Sequence, residues 1–251
     1  MRAFIFVVLT IVVGATHASP VSAQRGAPQG PPPTPRAISP VDLTGDWVAM
    51  VTEDWRWRMM TPPKGDVSSI PVTAEARKVT DAWDPARDTA AGEQCKSYGA
   101  PQLLRIPGRI RISWESDTTL KVETESGTQT RLFRFGNQPA AAGPATYQGN
   151  SVARWEVIGG GRGAKPRGGS LSVMTTGMRP GYVRKNGVPY SEKATVEEHF
   201  NATTEPNGDR WLILTTVVRD PVYLNAPWIT STHFKKVPNG SSWNPTPCEA
   251  S

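Results

Sequence analysis

Glu198 alternates with Val196 and Phe200, so a strand through this segment carries a carboxylate on its apolar face. Burying a carboxylate costs free energy unless it is ion-paired or hydrogen-bonded. Two roles follow: a general base with a raised pKa, or one half of an ion pair with Arg154, which shares a face with Val152 and Glu156. Tyr190 and Glu192 flank Ser191 after a Gly/Pro turn leading into a strand. That place suits an acid–base pair at a barrel mouth, or a turn that hydrogen-bonds itself. Trp55 and Trp57 alternate with Arg56 and Arg58. On a strand the two indoles share one face and line a cavity for an aromatic ligand, or pack in the core with cation–π contacts. Arg154 and Trp155 complete the candidate ligand-binding set. Nine tryptophans are a large supply of flat apolar surface, and they favour a pocket. His199 shares its face with Thr195 and Glu197, the solvent side by alternation.

Standard catalytic signatures are missing. The sequence has no Gly-x-Ser-x-Gly elbow, P-loop, dinucleotide fingerprint or His-Glu-x-x-His. Gly159–Gly163 matches a phosphate loop weakly, because no helix follows it. His17, His199 and His233 are scattered, and neither cysteine has a partner at ligand spacing. No cofactor and no metal is therefore expected. Three functions remain. One is a protein that holds a small hydrophobic or aromatic molecule in a barrel cavity. The second is a cofactor-independent isomerase, hydratase or lyase using Glu198, Tyr190 and Glu192 in the same cavity. The third is a structural envelope protein.

The N-terminus points to export. Arg2 precedes an apolar run from Ala3 to Ala15, and Val21-Ser22-Ala23 places small residues at a cleavage position. Residues 1–23 thus read as a signal peptide, and the location as periplasmic or secreted. The run falls short of the ~20 residues that span a bilayer, so no stable membrane insertion is expected. Residues 24–40, rich in Pro and Gly, read as a disordered tether, and 41–251 as a single domain. The charge of +6 is interspersed with acids. Aromatic and basic residues do not interleave as in a nucleic-acid-binding module, so no nucleic-acid partner is expected. Cys95 and Cys248, a lone pair in an oxidising compartment, read as a disulfide.

Period-two alternation dominates the chain. It predicts strands over 45–57, 109–114, 120–123, 128–135, 151–158, 170–176, 194–203, 211–219 and 228–234, with Asn207-Gly208-Asp209 as a hairpin turn. In 128–135, Arg131, Phe133 and Phe135 face one way. One helix is predicted over 73–83, with Thr73 as N-cap, a stripe of Val72, Ala76, Val79 and Trp83, and a stop at Asp84-Pro85. Many short-linked strands and one helix indicate an all-β fold: an antiparallel up-and-down barrel of about eight or nine strands, with a β-sandwich as the alternative. Gly45-Asp46-Trp47 resembles the Gly-x-Trp opening of lipocalin-like barrels, in which the Trp plugs the barrel floor.

Several segments together resemble a widespread, uncharacterised group of exported bacterial proteins. They are Asp42–Trp47, Cys95–Pro101, Ser151–Glu156, Arg184–Glu192, Glu198-His199-Phe200, Asp220-Pro221 before Pro227-Trp228, and Cys248-Glu249. The chain departs from that group by a Gly/Arg-rich insertion at Gly159–Gly169 and by His199 where the group usually has Arg.

Overall fold

Alternating apolar side chains need a common interior, and in the computed structural model nine strands supply it by closing on themselves. The structure describes residues 31–136, 143–159, 167–240 and 242–250; the expected signal peptide, residues 1–23, lies outside them, as do residues 24–30 of the expected tether. The unit described is Pro33–Ser251. In chain order its strands are β1 (Gly45–Met50), β2 (Arg109–Ser116), β3 (Thr119–Thr124), β4 (Thr130–Phe135), β5 (Asn150–Ile158), β6 (Gly168–Thr176), β7 (Gly181–Arg184), β8 (Val188–Tyr190), β9 (Thr195–Thr204), β10 (Arg210–Arg219) and β11 (Trp228–Val237). The barrel order is β1-β11-β10-β9-β6-β5-β4-β3-β2, while β7 and β8 form a separate hairpin.

The barrel is mixed rather than purely up-and-down. β4 and β5 run parallel, with Phe133 opposite Ser151 and Phe135 opposite Ala153. A parallel neighbour requires the chain to return to its starting end between the two strands. Elsewhere the predicted turns stand: Gly208 takes a left-handed φ of 86° in the β9–β10 turn, where Glu205 N–H donates to the Asp209 carbonyl.

The first expected strand is shorter than predicted. It ends at Met50, and Asp54, with φ 52°, turns the chain into a four-residue helix α1 (Trp55–Arg58). Three further helices are α2 (Ala74–Ala82), α3 (Pro85–Ala90) and α4 (Ala100–Leu103), with a 3₁₀ turn at Gln94–Tyr98 before α4. Thr73 caps α2 as expected, accepting from Ala76 N–H. Its buried face is Ala76 and Thr80, whereas Val79 is exposed. Asp84 both ends α2 and caps α3, whose first residue is Pro85.

The two barrel ends differ. At one, Trp114, Phe135 and Trp155 stack around the core residues Trp47, Leu43, Leu120, Leu171 and Phe200. Trp47 is fully buried and donates its indole N–H to the Leu43 carbonyl at 2.9 Å, at this end of the core. The chain before β1 straps this end. Arg36 N–H donates to the Asp117 carbonyl, Trp155 Nε1–H to the Pro35 carbonyl at 2.8 Å, and Arg210 to the Asp42 carbonyl. Residues 34–40 are thus hydrogen-bonded structure, a correction to the tether: prolines with no core of their own gain one by lying across the barrel. The opposite end is capped by the helices and the β7–β8 hairpin, whose residues Val183, Val188 and Tyr190 form a second apolar cluster with Ile70 of the α1–α2 loop and with Val196, Val218 and Trp228.

Cys95 and Cys248 form the expected disulfide, with Cα atoms 5.1 Å apart. Cys248 packs on Tyr98, Leu103 and Ile106.

An outward ion pair braces the strapped end. Asp46 is buried and accepts from Arg111 at 2.7 and 3.1 Å and from Gly240 N–H. The bonds from Arg111 hold its carboxyl below the ordinary aspartate range. In the unfolded chain the value returns to about 3.9. The stabilisation is therefore complete above about pH 4 and disappears as pH falls through the lower folded value. Asp46→Asn should cost about 1–2 kcal/mol at neutral pH, and the penalty should shrink in acid. Urea unfolding at neutral and acidic pH checks this; an equal penalty at both would contradict it.

Candidate functional site

The inward residues divide into an apolar and a polar half. Register puts Glu198 beside Thr216 on β10 and Val173 on β6, with Ser151 paired to Thr175 on the neighbouring strands. Glu198 is fully buried, as its alternation required. Its partner is Arg131, which reaches from β4 to donate to both carboxylate oxygens at 2.7 and 2.6 Å. Arg131 also donates to Thr175 at 3.0 Å, and its guanidinium lies 4.9 Å from the Phe133 ring centre. The expected partner, Arg154, points the other way: it is exposed and pairs with Glu156. On β5 the small residues Ser151 and Ala153 face in, and Val152 faces out, which reverses the expected faces. Both carboxylate oxygens are taken by the Arg131 guanidinium, so Glu198 stands in the barrel as one half of a buried ion pair. Trp155 is half-buried in the aromatic end, with its N–H on Pro35. The set Trp55, Trp57, Arg154 and Trp155 does not converge.

Trp55 and Trp57 are likewise not walls of the barrel interior. Helix α1 reverses their expected environment, because Arg58 is the buried residue and Trp55 is exposed. Arg58 donates to the Arg105 carbonyl and pairs with Glu53; Arg105 bonds Asp54 and stacks 5.0 Å from Trp228. Trp57 donates to Asp66 and stacks with Arg184. Burial lowers the Arg184 pKa to about 10, which leaves it charged at neutral pH. His199 lies half-buried on the outer face, 3.5 Å from Glu156 and 3.4 Å from Glu197.

Two predicted residues do come together, at a cleft of about 270 Å³ on the capped end. Tyr190 and Glu192 line it with Val79, Lys96, Pro180, Gly181, Tyr182, Pro189, Ser191 and Tyr223. Each side is fixed from below. The β7–β8 hairpin is pinned by buried Arg184, which donates to the Ser68 carbonyl, and by Asn186, which donates to the Pro63 and Asp66 carbonyls. Its turn needs Gly187, which has φ 80° and lies so close to Trp83 that a Cβ would enter the ring. Ser191 is held by Asp220, which accepts from its hydroxyl and its backbone N–H. Tyr223 follows that same aspartate, and its carbonyl accepts from Thr73 N–H at the start of α2.

Behind the cleft lies a charged floor. Lys96 and the Tyr182 hydroxyl both donate to Asp88, at 2.6 and 2.8 Å; the Tyr147 hydroxyl donates to Glu93, which also pairs with Arg179. Burial first, and Asp88 next, push the Tyr182 pKa up, so it remains a neutral donor. Tyr190 is pushed up by burial. Its hydroxyl is wedged where a Cβ on Gly99 or Gly181 would collide with it, and it has no hydrogen-bond partner among the described residues. Glu192 is exposed at the rim. Tyr190 is therefore a wall, and the pair lacks the hydrogen-bond contact that acid–base work needs.

Sequence reasoning missed Tyr182, Tyr223, Lys96 and Asp88. One signal was available: Asn186-Gly187 is a hairpin turn, and folding the flanks about it brings Tyr182 opposite Pro189, as observed. The segments that carry the resemblance also meet here, since Cys95–Pro101, Arg184–Glu192 and Asp220-Pro221 all border the cleft or its supports.

Fold and site together define a closed mixed β-barrel with a disulfide-anchored tail and an aromatic cleft on its capped end. No protein-family model and no curated protein matches the chain.

Proposed function

We propose that this is an exported binding protein for a small aromatic compound, and that the compound sits in the cleft against the β7–β8 hairpin. The observation that carries the proposal is the cleft's lining. Tyr182, Tyr190 and Tyr223, with Pro180, Pro189 and Val79, surround a space of about 270 Å³, close to the lower end of known ligand sites at roughly 300 Å³. Lys96 is the cation of the lining, and beyond its bond to Asp88 it has N–H donors left for a compound carrying a hydrogen-bond acceptor. Among the described residues the barrel interior holds the aromatic stack at one end and the Arg131–Glu198 pair further along, and this reading puts the compound in the surface cleft rather than in the lumen. The wedged Tyr190 hydroxyl and the rim position of Glu192 favour binding over catalysis.

Tyr223 is the wall to remove, because its supporting bonds are made by its backbone. Naphthalene-2-carboxylate serves as probe, with calorimetry as readout. Tyr223→Ala should weaken binding about tenfold, the value of some 50 Å² of apolar contact at about 25 cal/mol per Å². Glu192→Trp should block the rim. Mass spectrometry of the natively purified protein should find an aromatic compound that both variants lose. No binding, or binding indifferent to both substitutions, would overturn the assignment.

A further inference from the structure

The cleft does not explain helix α1. Trp55, Met59 and Met60 are 60%, 59% and 68% exposed, and leaving three such side chains in water forgoes apolar burial that the fold could have supplied. The segment is not loose. Asp54 O accepts from Trp57 and Arg58 N–H, Trp55 O accepts from Met59 N–H, Arg58 is buried against Arg105, and Trp57 is fixed by Asp66. Buried arginines thus hold a rigid turn whose other side presents an indole and two thioethers to solvent.

The local charge decides the partner. Between residues 53 and 66 the acids are all engaged: Glu53 with Arg58 and His233, Asp54 with Arg105, and Asp66 with Trp57 and Ser68. Arg56 and Lys64 are exposed and have no acidic partner among the described residues, in a chain of net charge +6. Three apolar side chains are far below the ~20–30 residues per side of a stable protein interface. They suit a lipid interface, where an indole ring settles at headgroup depth and each flanking cation contributes about 1 kcal/mol.

We infer that the α1 turn, through Trp55, Met59 and Met60 with Arg56 and Lys64, docks the protein peripherally and reversibly on an anionic lipid surface. No strand or helix enters the bilayer.

Co-sedimentation with vesicles tests this, using phosphatidylcholine alone and phosphatidylcholine mixed with phosphatidylglycerol. The protein should bind the anionic vesicles and release them as salt rises. Trp55→Ser/Met59→Ser/Met60→Ser should weaken binding by about tenfold or more, and Arg56→Gln/Lys64→Gln by about tenfold. Both variants alter exposed side chains only, so their thermal unfolding midpoints should match that of the parent. Three results would overturn the inference: no vesicle binding, binding unaffected by either variant, or a concentration-dependent dimer that the triple variant abolishes.

Discussion

Glu198→Gln should lose about 3–5 kcal/mol of stability, because it leaves Arg131 charged and uncompensated inside the barrel. The two side chains are 0% and 1% exposed and share two hydrogen bonds. A glutamine oxygen can still accept one of those bonds but returns no charge. Urea unfolding measures the loss directly. The double variant Arg131→Met/Glu198→Leu provides the internal control. An apolar pair of similar volume removes both the desolvation cost and the attraction, so it should be more stable than Glu198→Gln alone. The cleft is built on other elements, so the folded fraction of Glu198→Gln should bind naphthalene-2-carboxylate as the parent does. A parental unfolding midpoint would show that the pair contributes nothing. Intact folding with binding lost would return Glu198 to the ligand site.

Opening the disulfide should have an effect of similar size. Cys95 and Cys248 close a loop that contains every strand except β1. In the chain-entropy account, freeing so long a loop costs roughly 3–5 kcal/mol. Cys95→Ser/Cys248→Ser, or reduction of the parent, should lower the urea midpoint accordingly. The barrel should survive at low denaturant, since neither cysteine lies in a barrel strand. Ligand affinity should fall as well, because Cys95 lies in the 3₁₀ turn that carries Lys96 into the cleft. Identical midpoints for reduced and oxidised protein would refute the stabilising role.

Alternation made the strands legible because one face of each is buried. It placed Glu198 on an apolar face and Arg131 on a face with Phe133 and Phe135, yet did not pair them. Which inward residues meet depends on register around the ring and on the parallel β4–β5 step, and neither leaves a local pattern. On β5 the pattern itself misled: Ser151 and Ala153 are small enough to leave room for the Arg131 side chain, so the larger Val152 is displaced to the outside. Trp55 and Trp57 failed for another reason. Their alternation with arginine imitates a strand, but Asp54 at positive φ breaks it, and α1 is held from far along the chain by Arg105, whose carbonyl accepts from Arg58 and whose guanidinium bonds Asp54. The cleft was half legible. Tyr190 and Glu192 were visible beside a turn, whereas Tyr223 and Lys96 arrive from segments far away in the chain.

The seam between β1 and β11 matters before folding ends. Asp46 pairs with Val237 and Trp47 with Lys236, so the first barrel strand made by the ribosome waits for the last. Until then one edge of β1 has unpaired N–H and C=O groups, and so does the growing edge beside it, a template for pairing between chains. Closure by so distant a contact is also slow. The lysines at positions 235 and 236 sit on the strand that completes the seam. Their charge opposes edge-to-edge association during that wait, the period in which nascent chains of this barrel are most exposed to aggregation.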